Sequence, residues 1–133
     1  MRPFVVTDET IAMVSSNIAH LLNGFLACSE FENVIFCWVL HEQYILDGLI
    51  DALNLNGYTT HCFSLVCTEQ ALIERLGRDI AAGKRDSDIT ERSVARIPFY
   101  DVLDTVKIDV SAISPADAAR RITAHIAGVQ ANP

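Results

Sequence analysis

Apolar positions along the chain fall alternately into helical and extended patterns. Ile11, Val14, Ile18, Leu21, Leu22 and Phe25 recur three and four apart, which predicts an amphipathic helix from Thr7 to about Cys28. Thr7 can cap its free amides, and Asp8 and Glu9 suit the positive end of its dipole. Residues 34–39, V-I-F-C-W-V, form an unbroken apolar run rich in β-formers, the pattern of a strand buried on both faces. Helical spacing returns from about 42 to 53, with Tyr44, Ile45, Leu49 and Leu53 on one stripe. Asn56-Gly57 then marks a turn. Residues 59–67 read as a second strand. Thr68 caps a third helix with Leu72, Ile73, Leu76 and Ile80 on its apolar face, ended by Gly83. Helix is predicted again over 88–96, strand over 105–110, and a last helix over 115–127 behind the Ser114-Pro115 start. Apolar strands alternating with helices predict an α/β fold: one parallel sheet with helices on both faces, in three layers.

Composition narrows the partners. Of 133 residues, 17 are acidic and 10 basic, a net charge of −7. That balance argues against a nucleic-acid polymer as partner and leaves anion binding to a local arginine cluster. No apolar run reaches the length of a membrane span or a signal sequence. Cys28, Cys37, Cys62 and Cys67 include no C-x-x-C pair and read as free thiols, so a cytoplasmic setting is expected.

The richest stretch for chemistry lies between 75 and 96. Arg75, Arg78, Lys84, Arg85, Arg92 and Arg96 fall there, with Asp86 and Asp88 among them. Arg92 and Arg96 stand four apart and share one helical face. Guanidinium forks so placed suit a phosphate. A solvated helix with local ion pairs, such as Asp88 with Arg92, accounts for the same spacing. A phosphate-binding loop, G-x-x-x-x-G-K-[ST], is missing. Gly77 and Gly83 precede Lys84 at the wrong spacing, and Arg85 stands where a hydroxyl is needed. Trp38 lies near the end of the first predicted strand and His41 follows it, at the place where parallel sheets gather ligands, so both are pocket candidates. The alternative is a core tryptophan and a surface histidine.

The stretches F-S-L-V-C-T-E-Q-A-L-I-E-R-L (63–76), G-K-R-D-S-D-I-T-E-R-S-V-A-R-I-P-F-Y (83–100) and L-D-T-V-K-I-D-V-S (103–111) resemble the C-terminal part of small P-loop kinases. That group includes adenylate, shikimate and gluconate kinases and chloramphenicol phosphotransferase. The nearest likeness is to bacterial AAA-family nucleotide-kinase-like proteins. The resemblance runs from about Pro3 to Ile126. It implies a single truncated kinase-like domain over 1–133 that lacks the first strands and the Walker A loop. The missing first strand would lie between 34–39 and 62–67.

ATP and Mg²⁺ are the cofactors the resemblance implies, with a small-molecule phosphate acceptor. Arg75 would lie by the adenine. A lid over about 84–100 would carry Arg85, Asp88, Arg92 and Arg96, with Ser87 replacing one of its acids. Lys107 and Asp109 fall in the family's K-I-D run, and Arg2, Phe4 and Asn17 in its acceptor-side region. Without the loop lysine, the expected state is the inactive remnant of an ATP-dependent kinase. The alternative from another class is a non-catalytic α/β interaction module that buries its open apolar surface by homo-oligomerising or by pairing 34–39 directly with 62–67.

Overall fold

The computed structural model describes residues 5–131, which divide into two compact units between Thr60 and His61. The first unit holds two helices. Helix α1 (Asp8–Leu26) starts on a reciprocal box: Thr7 Oγ1 accepts from the Thr10 amide at 3.2 Å, and Thr10 Oγ1 accepts from the Thr7 amide at 2.8 Å. Helix α2 (Gln43–Asp51) is shorter than its apolar stripe predicts. Asn23 ties the two helix ends together. Its Nδ2 donates to the Ala52 carbonyl at 3.0 Å, and its Oδ1 accepts from the Asn54 amide at 2.8 Å. Tyr58 adds a bond from its hydroxyl to the Leu26 carbonyl at 2.7 Å, after a turn in which Gly57 takes φ +84°. Leu22 and Leu46 are the buried apolar side chains of this unit among the described residues.

The second unit is built on two short parallel strands. Strand β1 (Phe63–Val66) pairs with β2 (Val106–Asp109) in the register Phe63↔Val106 to Val66↔Asp109. Backbone bonds Val106 N to Cys62 O and Val110 N to Val66 O extend the ladder at both ends. Helix α3 (Glu69–Ala81) follows β1, with Thr68 Oγ1 accepting from the Ala71 amide. It stops in a Schellman motif: Lys84 N donates to Asp79 O, Gly83 N to Ile80 O, and Gly83 takes φ +69°. Helix α4 (Ile89–Asp101) packs on α3 and touches β1, while α5 (Pro115–Ala131) packs on β2. Among the described residues the core is Leu76, Leu103, Ile108 and Ala118. Ser64 is buried with them and shares a 2.6 Å bond with the Thr105 hydroxyl.

This architecture corrects the expected fold. The chain is mostly helical, and among the described residues its sheet has two strands, not a three-layer parallel sheet of P-loop-NTPase type. The difference centres on 34–39. That run forms no strand and stands open, with Ile35 90%, Phe36 39%, Trp38 48% and Val39 48% exposed. Apolarity specifies a wish for burial, but a strand also needs a partner's backbone. Among the described residues β1 pairs with β2 in a two-stranded sheet.

Candidate functional site

The strand ends of the second unit converge on Arg75. From α3 its Nη2 donates to the carbonyl of Val110 and to that of Ser111, the latter at 3.2 Å. Ser111 Oγ accepts from the Thr68 amide at 2.9 Å, and its own amide donates to Asp109 Oδ1 at 2.8 Å. These bonds from Ser111, with Arg121 and Arg75 nearby, hold the Asp109 carboxyl below its ordinary range. The chain thus closes the loop after β2 against the start of α3. Beside this closure lies an open hollow of about 660 Å³, lined by Arg75 and Arg78 on one side and by Ile113, Ser114 and Pro115 on the other.

The predicted lid arginines have local partners. Arg85 Nε meets Asp79 Oδ2 at 3.1 Å, and Arg92 meets Asp88 at 3.4 Å, one helical turn apart on an exposed surface. Such pairs contribute little to stability. Asp88 occupies the position before α4 without capping it through its side chain. Arg96 lies near Tyr100, whose phenol is pushed up by burial and drawn back by that positive charge. Lys107 is spent on the backbone: its ammonium donates to the Leu103 and Thr105 carbonyls at 2.6 and 3.0 Å.

In the first unit, Asn17 is exposed on α1. Trp38 meets Phe36 edge-on at 6.3 Å between ring centroids, in the open segment. His41 Nε2 lies 3.4 Å from a Glu42 carboxylate oxygen. Arg2 and Phe4 lie outside the described residues. None of the four cysteines is in a disulfide, and Cys37 is exposed. Among the described residues no group of three His, Cys, Asp or Glu side chains is placed to hold a metal ion, and no helix is long and apolar enough to cross a membrane.

Sequence reasoning passed over Ser111. The signal for Ser111 is the Asp-x-Ser spacing from Asp109, which favours an Asx turn. Ser114 caps α5 as expected, and the run S-P-A-D completes a capping box in which the Asp117 carboxylate accepts from both the Ser114 amide and its hydroxyl. No family model, curated protein or solved structure matches the chain.

Proposed function

We propose that this chain is a non-catalytic interaction module of the cytoplasm that works by adding a strand to another polypeptide. The observation that carries the reading is the segment 34–40. It is apolar throughout, exposed over most of its length, and outside any ladder among the described residues. Its amides and carbonyls are a template for strand addition, and its side chains offer the apolar contact. Ile35, Phe36, Trp38 and Val39 hold about 450 Å² of open surface at roughly 200 Å² per large side chain. Covering that area would contribute on the order of 11 kcal/mol before ordering and association costs. Trp38 is the sole tryptophan, so its emission reports on this segment alone. At nanomolar concentration the expected signal is red-shifted and open to aqueous quenchers. A blue-shifted, quencher-protected Trp38 in the dilute monomer would sink the reading.

A second reading is favoured by the hollow that Arg75 and Arg78 line. In it the chain is the remnant of an ATP-dependent small-molecule kinase and retains weak affinity for polyphosphate. In this reading the arginines supply charge-assisted contacts to phosphate oxygens. Affinity would be on the order of millimolar, because two or three exposed charge-assisted contacts must offset the ordering of long side chains. NMR titration with ATP checks it, comparing the parent with Arg78→Ala and with Arg85→Ala plus Arg96→Ala. Identical titrations for all three proteins would leave these arginines as a solvated surface.

A further inference from the structure

We infer that the strand that covers 34–40 comes from a second copy of this chain, the two segments pairing antiparallel about a twofold axis. This rests on the interaction-module reading and names its partner. The first ground is area. Phe31, Ile35, Phe36, Trp38, Val39 and Tyr44 leave about 700 Å² of side-chain surface open per copy, at roughly 200 Å² for a large side chain. A stable interface of ordinary size buries about 800 Å² per partner, so the patch on one copy is matched in extent by the same patch on another.

The second ground is charge. Residues 34–40 carry no Asp, Glu, Lys, Arg or His, no glycine and no proline, so the run offers a charged partner strand nothing complementary. The acids Glu30 and Glu32 precede it, and Glu42 follows it. Parallel self-pairing would set Glu32 beside Glu32 and Glu42 beside Glu42, like charges that weaken a ladder. Antiparallel pairing centred on Trp38 sets Glu42 opposite Val34 instead and brings none of these acids opposite another. A twofold contact of this kind uses the same surface on both copies and closes at two.

The experiment is sedimentation equilibrium of the full chain, with Trp38 emission read on the same samples. The expected result is a monomer–dimer equilibrium in which Trp38 shifts to the blue as dimer forms. Raising salt should tighten the dimer, because each copy carries a net charge of −7 and the contact is apolar. Ile35→Lys should raise the dimer Kd at least tenfold and leave the amide spectrum of α1 and α2 unchanged. Val102→Lys, at an equally open valine of the second unit, should leave the Kd unchanged. A parent that stays monomeric at high micromolar concentration, with Trp38 still open to quencher, overturns the second-copy inference and leaves the module reading with a different partner. Protection of Trp38 in the monomer overturns both. Equal weakening by Ile35→Lys and Val102→Lys marks non-specific association and overturns the inference as well.

Discussion

Replacing Arg75 with alanine separates a structural arginine from a ligand-binding one. The guanidinium donates to two consecutive carbonyls, those of Val110 and Ser111, and so fastens the loop after β2 to α3. A hydrogen bond from a charged donor contributes about 1.5–3 kcal/mol when well formed. Arg75 is half-buried, and after truncation water can reach part of the freed carbonyl surface. Both facts pull the loss for the pair down to about 2 kcal/mol. In a unit of this size that is about 8–16 °C in Tm. Arg75→Lys, with a point charge in place of the fork, should recover about half of the loss. Urea unfolding followed by amide exchange at Val110 is the assay, because that amide bonds to Val66 O at 2.8 Å just beyond the last strand pair. The midpoint should fall with the slope unchanged. If Arg75→Ala is as stable as the parent, the clamp argument fails. If it also loses ATP binding, Arg75 belongs to a nucleotide site instead.

Three further outcomes are expected. Asp117 is held below the ordinary carboxylate range by its hydrogen bonds from Ser114, so its contribution to the start of α5 is complete above about pH 4 and is lost as pH falls through the lowered value. Amide shifts of 115–119 should follow that loss, and Ser114→Ala should move the transition back toward the ordinary pH; an unmoved transition refutes the cause. Asn23→Ala removes both bonds that tie α1 to the end of α2 and should cost the first unit about 1–2 kcal/mol, read from its thermal midpoint; an unchanged midpoint would show that the Asn23 bridge contributes nothing. Arg85→Ala and Arg92→Ala each break an exposed ion pair and should change stability by less than about 0.5 kcal/mol in denaturant titration; a larger loss would show a buried role for either arginine.

Helix starts were legible because their cause is local. Thr7, Thr68 and Ser114 act within one turn, and each caps where its sequence neighbourhood predicts. Gly83 was legible for the same reason: its left-handed backbone ends α3. Helix α4 runs past the predicted end at 96 and through Pro98 to Asp101. Pro98 leaves the Val94 carbonyl without its helical donor, and α4 has no buried residue among those described, so water can serve that oxygen. Residues 34–39 were misread because a strand depends on a distant backbone that no local pattern reports. The arginines were seen, but not their destinations: Arg75 finds carbonyls 35 and 36 positions away, a pairing that only the folded loop after β2 creates.

The parallel pairing of β1 with β2 also constrains the order in which the second unit assembles. Phe63 and Val106 must meet across about 40 intervening residues, and closing a loop of that length costs about 3 kcal/mol of chain entropy before any ladder bond compensates. Four residue pairs return too little to nucleate such a closure alone. Helices α3 and α4 lie wholly inside the loop and pack on each other, so their early contact shortens the effective span. Folding kinetics should then show a nucleus in the α3–α4 hairpin. Mutations at Leu76 should slow folding, whereas those in β2, formed after the barrier, should mainly speed unfolding.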